Sequence, residues 1–102
     1  MNYYLRTYDN YHFRDESEAF NEGNFETYEE ALAAAKIIVD DFLVQNSEKR
    51  MKPENLLFQW MMFGEAPEIL PKGKSGIEHF SAGSYAKMRS EEIMLKHKSN
   101  QE

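Results

Sequence analysis

One stretch, residues 27–44 (TYEEALAAAKIIVDDFLV), constrains the fold more than any other part of the chain. Thr27 and Glu30 have the spacing of a capping box, in which a threonine hydroxyl accepts from the amide of the third helical residue and the glutamate reaches back to the cap amide. Successive helical residues are about 100° apart, so most apolar side chains of the stretch fall on one face. These are Tyr28, Ala31, Leu32, Ala35, Ile38, Val39, Phe42 and Leu43. The stretch is therefore predicted to be the main helix and one wall of the core.

A second, narrower apolar streak lies almost opposite the first. It consists of Ala33, Ile37 and Val44. The simpler interpretation is a helix that its own domain touches on two sides. The alternative is a helix that also meets a partner, which makes Ile37 and Val44 candidate interface residues. Lys36 and Asp40 have the spacing of an i,i+4 ion pair on the polar side.

A second helix is predicted between Pro53, which suits a first helical position, and Gly64, which suits a C-terminal cap. Leu56, Trp60 and Phe63 form an ordinary buried stripe, but Leu57, Phe58, Met61 and Met62 extend the apolar surface around nearly the whole circumference. Such a helix is either enclosed or covered by a partner. Enclosure is difficult in a chain of 102 residues. The pattern therefore favours self-association, with Phe58, Met61 and Met62 at the interface.

The remaining segments predict an α+β fold, in which a small antiparallel sheet of about three strands packs against two to three helices. The predicted strands are 2–8, 67–70 and 77–80, and residues 14–24 are assigned to a polar loop with a turn at Gly23-Asn24. Ser81 is the predicted N-cap of a third helix that runs to about Lys96, with apolar residues Ala82, Tyr85, Ala86, Ile93 and Leu95. We expect one domain, residues 1–97, and a frayed tail, residues 98–102.

The net charge and the absence of cysteine argue against several functional classes. A net charge of −6 argues against general binding to nucleic acid or an anionic membrane. The absence of cysteine excludes disulfides, thiolate metal sites and cysteine nucleophiles. No apolar run approaches the length of a membrane span, and the N-terminal residues do not have the pattern of a signal peptide. We expect a cytoplasmic protein without a cofactor.

The richest polar cluster consists of Asp9, Asn10, His12, Asp15 and Glu16. Carboxylates with a histidine bind divalent metals or act as acid and base. His12, Asp15 and Glu16 do not have a recognised ligand spacing, however. The favoured interpretation is a turn in which Asp9 and Asn10 cap backbone amides and the acids face water. His97, near the C-terminus, is expected to be solvated.

Several segments together resemble a known family. They are YDNYHFRDESE at 8–18, GNFETYEEA at 23–31, IVD at 38–40, FGEAPEI at 63–69 and FSAGSYA at 80–86. The set resembles short uncharacterised bacterial proteins with a YDN-x-H-x-x-D-E opening, an FGE-x-P turn and an F-S-A-x-x-Y-A close. The resemblance implies no particular activity. The chain departs from the pattern at Gly83-Ser84, where the family has an aromatic residue and an acid, and at Phe58 and Met62, which are more apolar than the pattern implies.

The sequence thus favours a small non-enzymatic interaction module that forms a homodimer and contacts a protein partner. The alternative is a small metal-binding protein or enzyme that uses His12, Asp15 and Glu16.

Overall fold

Three strands and three helices form the part of the chain that the computed structural model describes, residues 3–10, 20–70 and 80–99. In chain order they are β1 (Tyr3–Asp9), β2 (Phe20–Phe25), α1 (Tyr28–Asn46), α2 (Pro53–Phe63), β3 (Glu65–Leu70) and α3 (Ala82–Ser99). The strands form one antiparallel sheet in the order β2-β1-β3. The predicted α+β class is confirmed.

The central strand of the sheet is β1, in which Leu5 and Thr7 are buried on one face and Tyr8 is buried on the other. Leu5 and Thr7 are fully buried on the face that carries α1. In β3, Pro67 pairs with Thr7 at the edge of the sheet, where the missing amide of a proline is tolerated. The predicted strand 77–80 lies outside the described residues except for Phe80, which is not in a strand.

The structure has the strand β2 where the sequence predicts a polar loop with a turn at Gly23-Asn24, so that prediction is wrong for residues 20–24. The pairing register shifts between Gly23, opposite Leu5, and Asn21, opposite Arg6, so Glu22 is the extra residue of a β-bulge. Gly23 has φ 138°, a conformation that glycine adopts readily. Pairing with β1 therefore overrides the turn preference of this dipeptide.

The helix α1 begins with the predicted capping box. The Glu30 amide donates to Thr27 Oγ1 over 3.1 Å, and the Thr27 amide donates to Glu30 Oε1 over 3.2 Å. The predicted stripe is confirmed, since its central residues Ala31, Ala35, Val39 and Leu43 are fully buried. The helix ends at Asn46, two residues beyond the predicted stretch.

The core consists of two clusters that follow one another along the buried face of α1. One lies between α1 and the sheet, around Leu5, Ala31, Ala35 and Ile69. The other joins α1, α2, α3 and β3; its buried residues are Val39, Leu43, Leu56, Trp60, Ala66, Ala82, Ala86, Ile93 and Met94. Phe80 packs against both. The apolar stripe of α1 therefore contributes its first half to one cluster and its second half to the other.

The helix α3 starts at the predicted cap, because the Ser84 amide donates to Ser81 Oγ over 3.2 Å. It continues to Ser99, past the predicted end at Lys96. The sequence predicts Leu95 as apolar contact surface, but it is 66% exposed, whereas Met94 is buried. The reason is helical spacing: Met94 lies eight residues after Ala86, on the same face, and Leu95 is turned a further 100° toward solvent.

The helices α1 and α3 run parallel. Asp40 contacts Tyr85 and Arg89, and seven residues later Ser47 Oγ lies 3.0 Å from His97 Nε2. The contact with Ser47 corrects the prediction that His97 is solvated.

Candidate functional site

The predicted polar cluster is only partly described. Asp9 ends β1, opposite Glu65, and Asn10 follows it. His12, Asp15 and Glu16 lie outside the described residues. Among residues 3–10, 20–70 and 80–99, no group of three or more His, Asp or Glu side chains could hold a metal ion.

Asn10 joins the end of β1 to the end of α2. Its amide donates to the Gly64 carbonyl over 2.9 Å, and its Nδ2 donates to the Trp60 carbonyl over 2.6 Å. The sequence predicts that Asn10 caps backbone amides, but it satisfies carbonyl oxygens instead. These carbonyls belong to the C-terminal end of α2, where the Trp60 carbonyl also accepts from the Gly64 amide over 2.8 Å. Asn10 is therefore a structural residue that fixes the position of α2 against the sheet.

The inner face of α2 is held by Leu56 and Trp60, both buried. The indole Nε1 of Trp60 also donates to the Glu65 carbonyl over 3.2 Å. The sequence predicts that Phe63 completes this stripe, but it is 68% exposed. The chain turns into β3 directly after Phe63, so the core ends before its ring.

The outer face of α2 carries three large apolar side chains. Phe58 is 58% exposed, Met61 55% and Met62 39%. They project opposite Leu56 and Trp60, as their spacing in the helix requires. We call this surface the α2 ridge. On α1, Ile37 and Val44 are also exposed, and within the described residues they do not pack against α3.

A cleft lies beside the C-terminal end of α2. Its volume is about 290 Å³, and it is lined by Ile38, Asp41, Phe42, Gln45, Phe63 and Glu65. The chain reverses direction between α1 and α2, which places Phe63 next to the second half of α1. Asp41 lies one turn from both Ile37 and Val44, so the exposed streak of α1 adjoins the cleft.

The cleft is acidic. Glu65 lies near Glu22 and Asp9, and its pKa is raised by partial burial and by the negative charge of these two neighbours. The Glu22 carboxylate accepts from the buried Thr7 hydroxyl over 3.1 Å, which holds it on this side of the sheet. Within the described part of the chain, the Glu65 carboxylate has no ion-pair partner. A cation placed beside Glu65 would relieve this repulsion.

A polar network connects α1 to α3. Asp40 Oδ1 accepts from Tyr85 Oη and from Arg89 Nε, both over 2.9 Å, and Arg89 Nη1 donates to Glu92 Oε1 over 3.2 Å. The Lys36 ammonium lies 5.6 Å from the centre of the Tyr85 ring. The predicted pair of Lys36 and Asp40 is thus replaced by contacts across the two helices. No local pattern could have indicated this network, because its two halves lie far apart in the sequence.

The Tyr85 hydroxyl is expected to stabilise the fold in a pH-dependent way. Burial and the Asp40 carboxylate raise its pKa to about 12. The folded state therefore keeps this proton above the pKa of an unfolded tyrosine, about 10, and the stabilisation is lost as the pH rises from about 10 to about 12. Tyr85→Phe should lower the free energy of unfolding by about 1 kcal/mol at pH 7. Denaturation curves between pH 7 and 11 should show this difference shrinking above pH 10.

Tyr4→Phe is the matched control, since Tyr4 is exposed on the sheet. It should change the stability little at any pH. A Tyr85→Phe difference that stays constant to pH 11 would contradict the role of the Asp40 contact.

No helix among the described residues is long and apolar enough to cross a membrane. Comparison of the chain with protein-family models, curated proteins and solved structures gives no match. The resemblance of the five sequence segments to a bacterial family therefore stays a prediction.

Proposed function

We propose that this protein is a small non-enzymatic interaction module that pairs with a second copy of itself through the α2 ridge. The observation that carries the proposal is the exposure of Phe58, Met61 and Met62 on one face of a helix whose opposite face is firmly anchored. Single exposed apolar residues are common, but a contiguous group of three large ones is typical of a contact surface.

The way in which α2 is packed against the rest of the protein supports this proposal. Leu56 and Trp60 bury its inner face, and Asn10 fixes its last turn. The ridge is therefore presented on a rigid element, so little conformational entropy is lost when it is covered. Methionine adds an adaptable contact surface next to the aromatic anchor Phe58.

A second copy is the partner best suited to the ridge. Its three side chains are uncharged, and a two-fold axis across the helix places the same apolar surface on both sides of the contact. With the two-fold axis perpendicular to the helices, the pair runs antiparallel, which opposes their dipoles favourably. The ridge is short, since 11 residues of helix span about 16 Å, so we expect a dissociation constant in the micromolar range.

The test is sedimentation velocity from about 1 to 100 μM with Met61→Glu. A charge in the centre of the ridge should shift the protein to a monomer, because an unpaired carboxylate cannot be buried without a large free-energy cost. Met88→Glu is the matched control: Met88 is 47% exposed on α3 and the change in net charge is the same. It should leave the association unchanged. A wild-type protein that is monomeric throughout would overturn the proposal.

A further inference from the structure

The acidic cleft beside the end of α2 has two walls. One wall is a flank of α1, formed by Ile38, Asp41, Phe42 and Gln45. These residues follow at spacings of three and four, so they form one strip about 10 Å long. The other wall is formed by Phe63, the last residue of α2, and Glu65, the first residue of β3. Since Asp41, Phe63 and Glu65 are all exposed, the cleft is open to solvent.

We propose that this cleft binds an arginine side chain of a partner protein, with the guanidinium beside Asp41 and Glu65 and the rest of the side chain against Ile38, Phe42 and Phe63. This contact is a second binding site, in addition to the α2 ridge.

The size of the cleft favours a single side chain. Its volume of about 290 Å³ is just below the range of sites that enclose small molecules, roughly 300–1,000 Å³. An open strip of two helical turns accommodates one long, unbranched side chain that a protein surface presents. Arginine and lysine are such side chains, and their alkyl chains pack on apolar surface while the charge stays at the rim.

The charge of the cleft favours a cation. Asp41 and Glu65 have no ion-pair partner in the part of the chain that the structure describes. The preceding residue of α1, Asp40, faces α3 instead and accepts from Arg89 Nε over 2.9 Å. The protein therefore pairs the carboxylate on the α3 side of α1 with its own arginine and leaves the carboxylate on the cleft side open to a partner.

Glu65 gains most from a bound cation. Partial burial and the negative charges of Glu22 and Asp9 raise its pKa. A guanidinium beside Glu65 would oppose this repulsion, since a nearby positive charge favours the ionised carboxylate. The positive charge would come from the partner, because the described residues of this protein place no base beside Glu65.

The aromatic rings favour arginine over lysine. The ring of Phe63 is 68% exposed, and that of Phe42 is half-buried at the opposite wall. A guanidinium is planar and weakly hydrated, so it stacks on aromatic faces and donates parallel hydrogen bonds to a carboxylate. A lysine ammonium is a compact, strongly hydrated charge and gains less from such walls. A hydrated divalent ion gains nothing from them.

The cleft is separate from the α2 ridge. Phe63 follows Phe58 by five residues and therefore lies about 140° around the helix from it. A second copy centred on the ridge leaves the flank of Phe63 uncovered. Binding of arginine in the cleft is accordingly expected in the monomer as well as in the dimer.

The test is a titration of the ¹⁵N-labelled protein with blocked arginine, lysine and citrulline (the N-acetyl methylamides), followed by amide chemical shifts. Blocked arginine should shift the amides of the residues that line the cleft, with a dissociation constant on the order of millimolar. Blocked lysine should bind about threefold more weakly, because it lacks the stacking. Citrulline keeps the shape of arginine without its charge and should cause no shift.

Variants of the two walls assign the binding to the cleft. Asp41→Asn and Glu65→Gln should each weaken arginine binding about threefold, and Phe63→Ala should reduce it to the level of lysine. The matched controls are Glu91→Gln, an exposed acid of α3, and Phe58→Ala, an exposed ring of the α2 ridge. Neither control should change the affinity. All five side chains are exposed, so the variants should remain folded, which thermal melts check.

The outcomes distinguish this site from self-association. If arginine, lysine and Mg²⁺ shift the same amides with equal affinity, the cleft is a general cation site and its assignment to arginine is wrong. It is also wrong if arginine causes no shift or if the controls lose as much affinity as the cleft variants. The same titration of Met61→Glu should give the wild-type affinity, whatever sedimentation shows about the ridge.

Discussion

Replacement of Gly64 by alanine is expected to destabilise the fold by about 3 kcal/mol. A Cβ atom at this position would lie 2.5 Å from Trp60 Cδ1 and 2.8 Å from the Trp60 carbonyl oxygen. The carbonyl is backbone and accepts hydrogen bonds from the Gly64 amide and from Asn10 Nδ2, so it cannot move without breaking the end of α2. In a domain of this size we expect the Tm to fall by more than about 10 °C, measured by circular dichroism.

Gly83→Ala is the control for this substitution. Gly83 lies in the first turn of α3, and a Cβ there meets no atom within 4 Å. Alanine is the better helix former, so the variant should be more stable by about 0.5 kcal/mol. If the two variants had equal stability, the close approach at Gly64 would not be the cause of the loss.

Trp60→Ala should have the largest effect of any single substitution considered, about 4 kcal/mol. The indole is buried in the cluster between α1, α2 and α3, and its Nε1 donates to the Glu65 carbonyl. Its removal leaves a cavity and an unpaired carbonyl at the start of β3. Since small domains have a total stability of about 5–15 kcal/mol, we expect a partly unfolded protein at 37 °C, visible in urea denaturation followed by circular dichroism.

Two further variants separate the possible causes of this loss of stability. Trp60→Phe keeps most of the ring volume and removes the hydrogen bond, so it should lose less than half as much stability. Phe58→Ala removes an exposed ring from the α2 ridge and should leave the stability of the monomer nearly unchanged. A comparable loss in Phe58→Ala would show that the ridge is buried in the monomer, which contradicts the proposed interface.

Gly64→Ala and Trp60→Ala both lie at the junction between α2 and β3. This junction is formed by Asn10, Trp60, Gly64 and Glu65. The same few residues hold the inner face of α2, end the helix and place Glu65 at the mouth of the acidic cleft. The junction thereby sets both the direction in which the ridge projects and the distance from the ridge to the cleft. A change in its packing is expected to alter self-association even though none of its buried atoms touches the second copy.

The features that could be predicted from the sequence are those that depend on local spacing. The capping box of Thr27 and Glu30, the bounds of α2 at Pro53 and Gly64, and the alternation of Leu5 and Thr7 in β1 follow from interactions between residues close in the chain. Each is fixed by backbone geometry of period 3.6 or 2. The outward position of Phe58, Met61 and Met62 also follows from local spacing, because Leu56 and Trp60 are buried on the opposite face of the same helix.

The features that could not be predicted from the sequence depend on partners far away in the chain. The segment 20–25 becomes a strand because β1 pairs with it, against the turn preference of Gly23-Asn24. Phe63 is exposed because the core ends before its ring. Asp40 binds Tyr85 and Arg89 because α1 and α3 are parallel, and Glu65 joins Asp41 in one cleft because the chain reverses before α2. In each case the stabilising contacts join residues that are far apart in the chain, so no local sequence pattern predicts them.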